Sequence, residues 1–295
     1  MAYILNSVNL TTYGITAGHA SGSNIAMQGC FDLPERTGKC FHEWGDSHSI
    51  EPYVASGDIF FAGRDIVFHG SIIGTNAVIN NYLDSFRTAI KAFTGLVTFS
   101  TPYGDFSVQV KSVTPEYFNG GVRVIITFRE PVVTLTGGEL PATGSNDYTI
   151  DGIPMSSFGL YTSKAEALHD LPELKEQFFT KYGAEGYQIV KRKNNILDSN
   201  GFIIASGLTD FQNKIKALYL LFKSSGTRNI KLNDEVYIEC FANEGFKVEN
   251  IYLFDNRVIA NYKINLMCYS VNYLSVLIAD EGFRIVTEEG YHILI

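Results

Sequence analysis

The 295-residue chain predicts a mainly β fold. It reads as two tandem units of β-sandwich or short-barrel type, each with one flanking helix, followed by a C-terminal β-hairpin. Three observations lead there: an internal repeat, strand-period alternation in both halves, and one helix-period segment per half. The repeat comes first, because missing a duplication misreads the whole architecture. Tyr3-Ile4-Leu5-Asn6-Ser7-Val8-Asn9-Leu10-Thr11-Thr12-Tyr13-Gly14-Ile15 returns, 145 positions on, as Tyr148-Thr149-Ile150-Asp151-Gly152-Ile153-Pro154-Met155-Ser156-Ser157-Phe158-Gly159-Leu160. Aromatic, polar turn, apolar residue, small polar pair and aromatic-Gly-aliphatic all fall in register.

In the first unit, Ile59-Phe60-Phe61 and Ile66-Val67-Phe68 give strand material that continues to Ile72-Ile73. Phe106, Val108 and Val110 alternate with polar residues, as do Val122, Val124, Ile126 and Phe128. Asn119-Gly120-Gly121 lies between these two runs and is a tight-turn signal for a hairpin. Residues 76–93 break the alternation: Val78, Tyr82, Phe86, Ala89, Ile90 and Phe93 recur at helical spacing, with Thr75 or Asn76 as N-cap and Gly95 beyond the end. The second unit repeats the order. Phe202-Ile203-Ile204-Ala205 stands where Ser71-Ile72-Ile73-Gly74 stood. A helix follows with Phe211, Ile215, Leu218, Tyr219 and Phe222 as its apolar stripe, Thr209 and Gln212 as a capping box, and Gly226 as its stop. Strands then run through Val236-Tyr237-Ile238 and, after a turn at Asp255-Asn256, from Val258 to Tyr269.

These signals divide the chain into a first unit over residues 1–137, a linker over 138–146, a second, diverged copy over 147–273, and an extension over 274–295. The stretch from Thr134 to Asn146 is rich in turn formers. In the extension, Asp280-Glu281-Gly282-Phe283-Arg284-Ile285 is echoed by Glu288-Glu289-Gly290-Tyr291-His292-Ile293, a hairpin too small to be stable unless it packs on something else.

Charge excludes one class of function. The net charge is −8, with 8 basic and 12 acidic groups in residues 1–140, 14 and 15 in 141–273, and 1 and 4 in the last 22. With no strongly basic segment, tight binding by phosphate neutralisation is not expected. The four cysteines (Cys30, Cys40, Cys240, Cys268) form no C-x-x-C pair, which predicts free, mostly buried thiols in a reducing cytoplasm. The N-terminus shows no signal-peptide pattern, and no run approaches the ~18 apolar residues of a membrane span.

Candidate chemistry is sparse. Cys40-Phe41-His42-Glu43-Trp44-Gly45-Asp46-Ser47-His48 offers ligand types for zinc or iron, but its spacing matches no ligand signature. Its counterpart Tyr182-Gly183 keeps the aromatic-Gly pair of Trp44-Gly45 and loses every ligand, so strand and loop is the expected reading. There is no G-x-S-x-G elbow, and His19, His69, His169 and His292 have no evident nucleophile beside them. Asp58 and Asp65 read as solvated strand carboxylates rather than a glycosidase pair. Ala17-Gly18-His19-Ala20-Ser21-Gly22 fits no phosphate loop and reads as a long loop. Lys191-Arg192-Lys193 reads as a solvated turn, while Tyr103, Tyr117, Phe118 and Tyr187 are candidates for stacking on sugars. No catalytic residue, metal ligand or cofactor is expected.

Several of these segments together resemble the phage distal tail proteins. The opening hairpin is one; the others are Leu33-Pro34-Glu35-Arg36, Trp44-Gly45-Asp46, Gly63-Arg64-Asp65-Ile66 before a strand reaching Gly70, and a helix ahead of a closing hairpin. The resemblance covers most of residues 1–135 and, more faintly, 147–272. The second unit departs from it, having only Lys191 to Ile196 in place of Gly-Arg-Asp-Ile. A second ring-type domain in place of the family's frequent galectin-like domain brings the chain closer to the hub proteins of contractile tails. The resemblance implies tail-tube-like domains and a non-enzymatic virion protein of the tail, without membrane insertion, assembled in the bacterial cytoplasm. It further implies a ring of six chains, or of three with pseudo-sixfold symmetry, joining the tail tube to baseplate or tail-tip proteins and letting DNA through its lumen at genome ejection. Two other readings follow from the residues: a β-sandwich carbohydrate binder for host attachment, and, more remotely, a metal-dependent hydrolase built on His42 and His48.

Overall fold

The computed structural model describes residues 2–38, 41–43, 50–51, 58–144, 148–166, 174–181, 183–192, 196–232 and 236–273. In the first half, β1 (Ile4–Leu5), β2 (Val8–Asn9), β3 (Thr16–Ala17) and β4 (Met27–Gln28) are short. So are β5 (Arg36–Thr37), β6 (His42–Glu43), β7 (Ile50–Glu51) and β8 (Phe60–Phe61). The long elements follow: β9 (Arg64–Ile73), α1 (Asn76–Lys91), β10 (Val97–Thr101), β11 (Gly104–Phe118) and β12 (Gly121–Glu130). An eight-stranded antiparallel sheet runs β2-β1-β10-β11-β12-β9-β3, with β4 also on β9.

The second half holds β13 (Thr149–Ile150), β14 (Ile153–Pro154), β15 (Leu160–Glu166), β16 (Leu174–Lys181), β17 (Ala184–Arg192) and β18 (Ile196–Ala205). Then come α2 (Leu208–Lys223), β19 (Arg228–Lys231), β20 (Val236–Phe241), β21 (Phe246–Phe254) and β22 (Arg257–Tyr273). Its eight-stranded sheet runs β14-β13-β19-β20-β22-β18-β15, with β21 also on β22. The seven strands of each path correspond in order, while the eighth differs, β4 lying on β9 and β21 on β22. The fold is mainly β, two sheets of sandwich or half-barrel type, each half with one helix, and no helix among the described residues is long and apolar enough to cross a membrane.

The repeat is visible down to single hydrogen bonds. Each half opens on a two-residue turn with positive φ, Asn6 (48°) and Ser7 (66°) in one, Asp151 (51°) and Gly152 (75°) in the other. Both positive angles suit the twist of an adjoining hairpin. Each then enters a 3-10 turn closed by a left-handed glycine, Gly14 after Leu10–Tyr13 and Gly159 after Met155–Phe158. Leu10 N donates to Tyr3 O as Met155 N donates to Tyr148 O, and Asn6 N to Thr98 O as Asp151 N to Asn229 O.

One long strand is treated differently in the two halves. β11 runs unbroken: its start pairs with β10 and its remainder with β12, turning through Asn119-Gly120 as expected. In the second half the same course is divided into β20, which pairs with β19, and β21, which pairs with β22 through the turn at Asp255-Asn256. Residues 242–245 make the break.

The helices need two corrections. α1 buries Ile79, Leu83 and Phe86, one residue round from the expected stripe, and leaves Val78 and Tyr82 exposed. Tyr82 instead lies over Gly14, where an added Cβ would come within 2.6 Å of the ring. A 3.6-residue period fits either stripe at its N-terminal end, and packing against the 3-10 turn, with Tyr13 5.2 Å from Phe86, selects the second. In α2 the expected stripe is buried, but no Thr209–Gln212 box forms. Asp210 accepts from Ser206 N and Oγ and from Lys214 Nζ, while Gln212 Nε2 donates to Tyr103 O. The C-terminal extension lies outside the described residues, as does Cys40. Cys30, Cys240 and Cys268 are buried free thiols.

The core is one continuous cluster through both halves. In the first sheet Phe99 is its centre, stacked 4.5 Å from Phe128, edge-on at 6.0 Å to Phe68 and 6.3 Å from Tyr3. Phe99→Ala removes the ring from a site with no solvent access and is expected to cost about 3–5 kcal/mol, read as a shifted denaturation midpoint at unchanged slope.

Candidate assembly interface

A strand at a sheet edge presents unpaired N–H and C=O groups, and a long apolar edge must be covered or it pairs with whatever it meets. Among the described residues β21 is such an edge, with β22 on one side only. Its other side is covered by residues 23–36 of the first half, chiefly without a regular ladder. Leu33 exchanges both backbone bonds with Phe246, at 2.9 and 3.0 Å. Elsewhere side chains stand in for strand backbone. Asp32 Oδ1 accepts from Val248 N (2.8 Å), Ser23 Oγ from Ile251 N (2.9 Å), and Asn24 Oδ1 from Leu253 N (2.7 Å). Asn24 Nδ2 donates back to Leu253 O, and Asn24 N to Ile251 O. Gly245, in the break between β20 and β21, lets this segment approach: a Cβ there would lie 2.0 Å from Leu33 O.

Two arginines fasten the same junction. Arg36, from Leu33-Pro34-Glu35-Arg36, is buried, and its Nη2 donates to Phe222 O (2.7 Å) and Ser224 O (2.9 Å). These carbonyls belong to the end of α2, where the last turn lacks intrahelical donors and a cation is favoured by the helix dipole. Arg64, from Gly63-Arg64-Asp65-Ile66, is also buried. Its Nε donates to Glu130 Oε2 at 2.6 Å, its Nη1 to Asp32 O at 2.8 Å and to Tyr219 OH at 3.0 Å, and its guanidinium lies 5.6 Å from the Phe106 ring centroid. One side chain thus ties β9, β12, the covering segment and α2. Phe31 adds an apolar peg, edge-on to Phe211 at 5.0 Å.

Burial sets the protonation of this cluster. It pushes the Asp32 carboxyl up to about 6, against the Val248 N–H and the Arg64 charge, which pull it down. Glu130 is raised by burial too, partly offset by Arg64. For Arg64 burial opposes the charge, but Tyr219, Glu130 and Cys30 outweigh it and hold the guanidinium above its ordinary value. Cys30 is pushed up to about 12 by burial, so it is an unreactive thiol.

Among the described residues, the candidates named from sequence do not converge on a reaction centre. Asp65 is held by Lys111 Nζ (2.7 Å) and Arg129 Nη1 (3.0 Å) on the sheet surface. His69 meets Gln28 Oε1 at 3.2 Å, and burial lowers its pKa. His19 lines a shallow recess of about 340 Å³ beside Leu10, Ile15 and Tyr103. Tyr103 is buried, so it cannot stack on a sugar, whereas Tyr117 and Phe118 are exposed at the β11–β12 tip. Cys40, Trp44, Asp46, His48, His169, Lys193 and His292 lie outside the described residues, and of His42, Glu43, Tyr187, Lys191 and Arg192 only the backbone is described. Among the described residues no group of three or more His, Cys, Asp or Glu is placed to hold a metal ion. Sequence reasoning did not assign Arg36 and Arg64 their junction role. For Arg64 the available signal was a charged residue heading a long strand with a buried apolar face; for Arg36, in the two-residue β5, there was none.

No protein-family model matches the chain, and no curated protein matches it. Among solved structures it aligns with the crystal structure of the SPP1 Dit (gp 19.1) protein, described as a paradigm of the hub adsorption apparatus in phages infecting Gram-positive hosts. The alignment covers 91% of this chain and 99% of that one at 11% identity and a TM-score of 0.34. A second alignment, with MrkH of K. pneumonia, covers 80% and 77% at 9% identity and a TM-score of 0.11. At these scores neither likeness bears on fold or function.

Two outcomes test the junction. Arg64→Met leaves Glu130 buried without its partner and is expected to cost about 3–5 kcal/mol, with Arg64→Met/Glu130→Leu recovering much of the loss in the same denaturation assay. For Asp32 the folded value lies above the ordinary 3.8, so between these pH values the native state binds the extra proton and stability falls as pH rises. Wild type is therefore expected to lose up to about 3 kcal/mol relative to Asp32→Asn between about pH 4 and pH 7. A flat difference across that window counts against the assignment.

Proposed function

We propose that this chain is a structural protein of a phage tail, a hub that forms a ring between the tail tube and the baseplate or tail tip and lets the genome pass. Each chain supplies two successive ring units, residues 1–137 and 147–273, joined by the linker 138–146, and three chains close a pseudo-sixfold ring. The observation behind this reading is the duplication itself. Two copies of one sheet-and-helix unit stand in a chain, and a segment of the first covers the open strand edge of the second.

The resemblance to distal tail proteins supports it from an independent side. Two of its motifs, Leu33-Pro34-Glu35-Arg36 and Gly63-Arg64-Asp65-Ile66, supply the arginines of the unit-to-unit junction. A unit that must hold a copy of itself needs such fixed, desolvated contacts. Charge supports passage of DNA: the first half carries more acids than bases, and an acidic lumen lets a polyanion slide without adhering. The residues 274–295 serve, in this reading, to dock a neighbouring baseplate protein.

Native mass spectrometry and electron microscopy of the purified chain are expected to show a closed ring with threefold symmetry and a central hole. A strictly monomeric species at high concentration overturns the reading.

A further inference from the structure

The covered edge of β21 has an uncovered counterpart. β11 follows the course of β20 and β21 combined, and its second part, residues 109–118, pairs with β12 on one side. The pairing of β10 with β11 ends at Val97 opposite Val108, so among the described residues no strand lies along the other side of residues 109–118. This edge holds Pro115, which has no N–H to donate and therefore points its nitrogen away from the β12 ladder. By the two-residue period, the N–H groups of Val113 and Tyr117 point the same way, out of the sheet. Tyr117 and Phe118 at the tip are exposed. A long open edge ending in bare aromatics is an association site unless something covers it.

What covers the equivalent edge in the second half is the segment between β3 and β9 of the first half. The corresponding stretch of the second half, between β15 and β18, contains the β16–β17 hairpin. That hairpin forms a two-stranded sheet paired with no other strand among the described residues. A lone two-stranded hairpin is marginal in water.

We infer that the free edge of β11 is covered by the β16–β17 hairpin of a second copy of this chain. The internal junction would then be the template for the external one, first half onto second within a chain and second half onto first between chains. Such a head-to-tail contact is heterologous and closes into a ring or runs on as a filament. Pro115 removes one donor from the edge, so the backbone ladder of the contact is interrupted at that position. This inference rests on the ring reading above and specifies its interface.

The test uses the wild-type chain assembled from a mixture of unlabelled and ¹⁵N-labelled protein and treated with a lysine-reactive cross-linker. Lys111 on β11 is expected to join Lys175, Lys181 or Lys191 in mixed-isotope pairs, which only different chains produce. Tyr117→Pro, which removes an outward N–H, is expected to weaken self-association about tenfold or more while the circular dichroism spectrum stays unchanged. Rings whose mixed pairs all fall elsewhere overturn this interface and leave the ring reading standing. Monomers throughout overturn both.

Discussion

The fold hangs on a guanidinium held out of water. Arg64 is buried with Glu130, and an arginine there is tolerable only if its donors are met and its charge is answered. Glu130 answers the charge from the adjacent strand. The carbonyl of Asp32 and the hydroxyl of Tyr219 meet the donors, and they come from the segment that covers β21 and from α2. Satisfying one cation thus fixes where the covering segment runs and how α2 lies against the first sheet. Arg36 does the same at the end of α2, where carbonyls without intrahelical partners need a donor.

With that frame set, the division of the long strand makes physical sense. β11 remains continuous, whereas β20 and β21 are separated by residues 242–245, with Gly245 giving the room Leu33 needs. Arg36 N donates to Asn243 O in the same break. The two halves hold similar edges, and in the second half the strand is interrupted where the covering segment lies against it. In the first half the strand is uninterrupted, with Pro115 limiting how far it can pair.

Much of this was legible in local patterns. The hairpin at Asn119-Gly120 follows from turn chemistry, and the α2 stripe from helical period. Where several apolar residues offered two stripes, as in α1, period alone could not choose. The choice fell to Tyr13 and Gly14 of the 3-10 turn, which take Phe86 and Tyr82. Likewise Thr209 and Gln212 have capping-box spacing, but Gln212 is used by a carbonyl more than a hundred residues away.

By itself the sequence determined the duplication, the helix in each half, several of the longer strands and the tight turns at Asn119-Gly120 and Asp255-Asn256, while the β16–β17 hairpin, whose Lys191 and Arg192 read as a turn, left no such mark. The elements depend on residues within a few positions of one another, and the duplication is seen by setting two such local patterns side by side. Only the tertiary structure decided which edge is covered, which face of α1 is buried, and what Arg36 and Arg64 hold. Those contacts link side chains to backbone groups up to 229 positions away. A backbone N–H or C=O is the same for nearly every residue type, so such a partner leaves no mark in the sequence.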